Sequence, residues 1–173
     1  MLNKRILRIT FIFYFILLAW LILFKGNVAQ YCLKYHKICL IPFADQSSYG
    51  SKLAKYICDI GNFVLFIPAG IYFCLFFRNN KSYVRILSAI GLTFALSLFF
   101  EVMQYVLVIG YSSITDIIEN TIGGIIGIII YEPLKNLVSN ETINKINKYT
   151  LFVIIPLGVF VIINTIIHID LYL

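Results

Sequence analysis

The most constraining feature of this chain is a succession of long apolar runs separated by short polar segments. The runs cover Ile9 to Phe24 and then residues 57–77, 86–109, 114–131 and 149–169. A helix crossing a bilayer needs ~20 consecutive, mostly apolar residues, and four of the five runs come close to that length or exceed it. Within a bilayer every backbone polar group must be satisfied inside the protein, which leaves helices or a closed barrel. Runs of this length predict helices. Composition agrees, with 61% of residues hydrophobic and 13% charged, against roughly half and a quarter in an ordinary soluble domain. The mean hydropathy is +0.92. The fold expected is all-α, a polytopic membrane bundle of about five helices forming a single domain over residues 1–173.

The chain's ends and connections refine that picture. Lys4, Arg5 and Arg8 precede the first run. A basic start and a short apolar core also describe a signal peptide. Retention as a spanning helix is favoured, because the run is long for a signal core and everything downstream also needs a membrane. Residues 25–56 form the one long polar segment, interrupted by an apolar island, Ile38-Cys39-Leu40-Ile41-Pro42-Phe43. Six residues cannot span a bilayer, and Pro42 argues against a continuous helix. Two readings stay open for this loop: an apolar tip dipping into the interface, or a re-entrant segment lining a site. Gly110-Tyr111-Ser112-Ser113 reads as a tight turn between the third and fourth runs, Pro133 as the stop of the fourth, and Lys135 to Lys148 as a polar connection.

The net charge of +6 does not point to nucleic acid, because the basic residues fall in short clusters between apolar runs and not along one soluble face. They orient the chain instead. With the N-terminus inside, the cytoplasmic segments hold Lys4, Arg5, Arg8, Arg78, Lys81, Arg85, Lys135, Lys145 and Lys148; the other side holds Lys25, Lys34, Lys37, Lys52 and Lys55. Nine against five favours N-terminus inside and C-terminus outside under the positive-inside rule. A multi-pass membrane protein in that orientation follows as the expectation.

Against this apolar background the polar residues of the third and fourth runs stand out: Glu101, Gln104, Asp116, Glu119 and Asn120. An ionisable group at membrane depth costs several kcal/mol unless paired or wetted. Glu101 and Gln104 share a helix face, with Ser97 four residues earlier on the same stripe; Asp116 and Asn120 share another. Gly123 and Gly127 continue that second face as a Gly-x-x-x-Gly, a spacing that admits another helix at close range. A short turn between the third and fourth runs predicts an antiparallel pair with the two stripes facing each other or a common cavity. Asp59 and Asn62, starting the second run, fall on the same side, as does the loop with Pro42 and Phe43. No Arg or Lys sits at the depth of the acids, so Glu101 is expected to be partly protonated or bonded to Gln104, Asn120 or Asn62.

Three roles fit such a cluster: a hydrogen-bonded clamp, a pocket for a polar headgroup or outer-surface ligand, or acid–base chemistry with Glu101 or Asp116 as general base. Nucleophilic catalysis is not supported, since Ser112 and Ser113 have no nearby His or Lys, and His36 and His168 are isolated. No cofactor is implied: phosphate-loop, dinucleotide and metal motifs are all missing. Cys32, His36 and Cys39 supply only three irregularly spaced ligands, a poor zinc set. Cys32 and Cys39 are placed to pair only if their loop faces an oxidising compartment; Cys58 and Cys74 read as scattered thiols.

Three blocks resemble the VanZ-like family of bacterial membrane proteins. Leu40-Ile41-Pro42-Phe43 is similar to the family's Asn-Leu-Ile-Pro-Phe segment, with Cys39 in place of the Asn. Residues 61–70, with Gly61, Asn62, Phe66, Pro68 and Gly70, are similar to its Gly-Asn-(apolar)-Phe-x-Pro-x-Gly helix. Glu101-x-x-Gln104, then Ser112-Ser113-Ile114-Thr115-Asp116-x-x-x-Asn120-x-x-Gly123-x-x-x-Gly127, is similar to its signature hairpin. One position departs: Gly110 stands where the family carries an Arg, the natural cation for Glu101, Asp116 or a phosphate. Either an activity that depends on that Arg is missing here, or a lysine of the 25–56 loop substitutes. The resemblance implies a link to teicoplanin-type glycopeptide resistance. It suggests as partners membrane lipids, a lipid-linked cell-wall precursor or a lipoglycopeptide, bound in an outer-leaflet polar cavity. An intramembrane enzyme acting on lipid or wall precursor, and a membrane scaffold or accessory subunit, are the alternatives.

Overall fold

The computed structural model describes residues 2–29, 37–43, 52–107 and 111–170. Five helices account for nearly all of them: α1 (Lys4–Ala29), α2 (Lys52–Phe76), α3 (Ser82–Leu107), α4 (Ile114–Leu134) and α5 (Asn140–Asp170). Two three-residue strands, β1 (Lys37–Cys39) and β2 (Tyr111–Ser113), complete the described structure. Lys4–Leu23, α3 and α4 are long and apolar enough to cross a membrane, and the apolar part of α2, Ile60–Phe76, is shorter. The helices fall into two compact units, one containing α1 and α5, the other α2, α3 and α4 with both strands.

In the first unit, Asn3 caps α1 by accepting the backbone N–H groups of Arg5 and Ile6, satisfying donors that a helix start leaves open. Its own N–H donates to Asn144 Oδ1 at 2.8 Å. Leu7, Thr10, Tyr14, Leu18 and Ile22, spaced three or four apart, make the buried stripe of α1. The Thr10 hydroxyl reaches the Asn147 carbonyl at 3.4 Å. An apolar groove further along is lined by Phe13, Leu17 and Trp20 of α1 and by Ile154 and Val159 of α5. These pairings advance together in sequence, so α1 and α5 run parallel. The helix α5 begins well before the apolar run expected from 149. Ser139 caps it, accepting the Thr142 N–H at 3.1 Å, with Glu141 in the first turn; the polar segment read as a connection is therefore largely helical.

The second unit is organised around α4. Gly123 and Gly127 lie against the backbone of α2, at Phe63 and Ile67, and Gly70 of α2 lies against the carbonyl of Gly124. Added Cβ atoms would strike main chain at all three positions, so these glycines fix how near α2 and α4 approach. The two helices run parallel at this seam. The helix expected to sit on the glycine face was left unnamed by the sequence; it is α2. The helix α3 packs antiparallel to α4, as the short turn predicts, through Arg85 with Glu132, Thr93 with Gly124 and Ser97 with Asn120. Phe66 and Phe100, both fully buried, meet edge to face at 6.3 Å between α2 and α3.

Two local expectations change. Pro133 does not stop α4 before itself: it occupies the last turn and the helix ends at Leu134. The segment read as a simple turn before α4 contains β2, which pairs in parallel with β1, Lys37 opposite Tyr111 and Cys39 opposite Ser113.

Candidate functional site

The buried residues of α3 are Arg85, Ala89, Thr93, Ser97, Phe100, Glu101 and Gln104. Most are polar or small, while the exposed positions of this helix include Leu92, Phe94, Leu98, Phe99 and Val102. This is the inside-out distribution of a helix whose outer face meets hydrocarbon. The buried set of α4 matches it: Thr115, Asp116, Glu119, Asn120, Gly123, Gly124, Gly127, Ile128 and Tyr131.

At the end where α3 finishes and α4 begins, these stripes build a buried polar cluster. Glu101 and Gln104 are each 4% exposed, Asn62 is 2% and Asn120 1%. Glu101 Oε2 accepts the backbone N–H of Ser113 at 2.8 Å, and the Ser112 hydroxyl donates to the Glu101 carbonyl at 2.8 Å. The strand β2 thus sits directly on Glu101. Asn62 Nδ2 donates to Glu119 Oε2 at 3.1 Å, tying α2 to α4. Asn120 Nδ2 donates to Ser97 Oγ at 3.0 Å, tying α4 to α3. Ser113 Oγ accepts the Thr115 N–H at 3.1 Å and caps α4, with Asp116 in the first turn, where a negative charge suits the positive helix end.

Of the residues singled out from sequence, Asn62, Glu101, Gln104, Asp116 and Asn120 are all buried within this unit. The partner expected for Glu101 was Gln104, Asn120 or Asn62. Glu101 Oε2 takes the backbone N–H of Ser113 in β2, a donor that spacing did not suggest, while Asn62 also serves Glu119 and Asn120 serves Ser97. The strand β2 brings that main-chain N–H onto the carboxylate. Pro42 and Phe43 approach from the side: the Phe43 N–H donates to Thr115 Oγ1 at 2.9 Å, while the Phe43 side chain stays 65% exposed. Gly123 and Gly127 serve the α2 seam. Gly110, Cys32, His36 and Lys34 lie outside the described residues.

The sequence reading passed over Glu119 as a site residue, although it lies three positions after Asp116 on the same face. Ser112 and Ser113, which spacing places in a turn and in the family-like hairpin, prove to bind Glu101 directly. At the opposite end of the unit the sequence reading took Arg85 as part of a basic connection. Its guanidinium instead bonds Glu132 at 2.8 and 3.0 Å, Ser82 Oγ, and the carbonyls of Arg78 and Asn80.

A family model described as VanZ/LLP1 matches residues 11–138. This chain belongs to the VanZ/LLP1 family. It is 31% identical over 146 residues to Protein VanZ of Enterococcus faecium, an alignment covering 81% of this chain and 80% of that one. No solved structure matches. The VanZ/LLP1 match includes every residue of the polar cluster and the whole of α2, α3 and α4.

Proposed function

We propose that this chain is a multi-pass protein of the bacterial cytoplasmic membrane, N-terminus inside and C-terminus outside. In this reading its polar cluster at the outer end of α3 and α4 receives the headgroup of a lipid, a lipid-linked wall precursor or a lipoglycopeptide, and so contributes to teicoplanin-type resistance. The observation that carries the reading is the concentration of Glu101, Gln104, Asp116, Glu119, Asn62 and Asn120, all buried, at one end of otherwise apolar helices. Buried ionisable groups in a membrane are costly and mark sites of binding or transport. Family membership supports the resistance link.

The test is a strain protected by this chain, with Glu101→Gln and Asp116→Asn introduced together. Gln keeps an oxygen for the Ser113 N–H, so the hydrogen-bond frame at Glu101 survives. Teicoplanin protection is expected to fall to that of a strain lacking the protein, at equal protein levels. Undiminished protection would remove the cluster as the active element.

A clamp is the second reading, favoured by the bonds Asn62–Glu119, Asn120–Ser97 and Ser113–Glu101, each of which joins two elements. It predicts that the same variant loses thermal stability in step with protection. An acid–base role for Glu101 or Asp116 on a lipid predicts altered lipid profiles between expressing and deleted strains; identical profiles would oppose it.

A further inference from the structure

The segment Ile38–Phe43 is apolar yet turned outward. Leu40 is 73% exposed, Ile41 69% and Phe43 65%. Phe43 also holds a φ of 57°, a left-handed conformation uncommon for a bulky aromatic residue. Strain of this kind persists where surrounding contacts over-determine the backbone, and here the Phe43 N–H is held by Thr115.

The depth of this segment follows from its ties. The strand β1 runs parallel to β2, so the chain travels past Tyr111–Ser113 in the direction in which α4 then continues. By Phe43 it has reached Thr115, inside the first turn of α4. The strand β2 is in turn fastened to Glu101 of α3 through both its carboxylate and its carbonyl. From Glu101 the helix α3 continues to Leu107, about 9 Å further at 1.5 Å per residue. Over that length it still presents Val102, Val106 and Leu107 outward. The strand pair and its tip therefore lie below the end of an apolar outward surface, not beyond it.

We propose that Ile38–Phe43 is immersed in the lipid leaflet at which α3 ends and α4 begins, with Leu40, Ile41 and Phe43 against acyl chains. The partner is the lipid surface itself: the tip continues the hydrocarbon-facing belt of α3 at the same level, and in water its exposed apolar area would be unfavourable. This placement holds whether or not the polar cluster binds a ligand.

The chain has one tryptophan, which allows a direct test. In a Trp20→Phe background, Leu40→Trp and Phe43→Trp are made separately, and the full chain is placed in phosphatidylcholine–phosphatidylglycerol vesicles. Leu40→Trp alters an outward side chain and leaves packing untouched, so it reads the tip even if Phe43→Trp folds poorly. Both variants are expected to lose emission when the lipids carry bromine on their acyl chains, and to resist aqueous iodide. Quenching by iodide and not by bromine would put the tip in water. Quenching by neither would mean that protein covers it, a second copy or another part of the chain. Either result overturns the proposal.

Discussion

Gly127 and Gly91 are both glycines inside apolar helices, yet they meet opposite surroundings. A Cβ at Gly127 would strike the Ile67 carbonyl and the adjoining α2 backbone, whereas one at Gly91 meets nothing within 4 Å. Main chain cannot rotate away as a side chain can, so Gly127→Ala must push α2 and α4 apart. A cost of about 1–3 kcal/mol is expected from such overpacking. Gly91→Ala should instead raise stability by about 0.5–1 kcal/mol, since glycine in mid-helix sacrifices more backbone freedom on folding. Thermal unfolding in detergent micelles separates the two; equal effects would disprove the seam. The residue scale was also where the sequence spoke most clearly. The buried stripe carrying Ser97, Glu101 and Gln104, and that carrying Asp116, Asn120, Gly123 and Gly127, follow from helical spacing alone. The specific partners did not, because which of several donors reaches a carboxylate depends on backbone placement that spacing does not encode.

Between elements, the α2–α3 connection is fastened to α4 by Arg85 and Glu132, whose side chains are 3% and 21% exposed. All five N–H donors of the guanidinium are used, a fork that Lys cannot reproduce. Arg85→Met strands a carboxylate and should cost about 2–4 kcal/mol, near the lower part of the range for a broken buried pair because Glu132 keeps some solvent. Arg85→Met with Glu132→Leu should recover part of that loss. Unfolding of the two variants side by side in micelles measures it, and a double variant as unstable as the single one would contradict the expectation. Elements were legible in unequal degree. Long apolar runs announced α1 to α5. The early start of α5 was hidden because its first turns are polar, and only the Ser139 cap and the Glu141–Lys145 pair at 2.9 Å mark it. The strands were invisible: three residues carry no usable period, and their pairing joins distant parts of the chain.

For the molecule as a whole, the proposed arrangement of five crossings puts the two ends on opposite sides of the membrane. A reporter active only outside the cytoplasm should be active when fused after Leu173 and inactive when fused before Met1. Activity at both ends or at neither would require a different number of crossings. Whole-molecule placement was only partly legible, since the positive-inside rule weighs lysines in residues 25–56 against basic residues elsewhere, and loop charge is a statistical guide. The parallel pairing of β1 with β2 carries a further meaning for how the protein is made. Lys37 and Tyr111 are paired, yet α2 and α3 are synthesised between them. The first partner must emerge and wait until both intervening helices have been made. The ribbon is therefore a late event in biogenesis, and a chain arrested before Tyr111 lacks the strand with which β1 is paired.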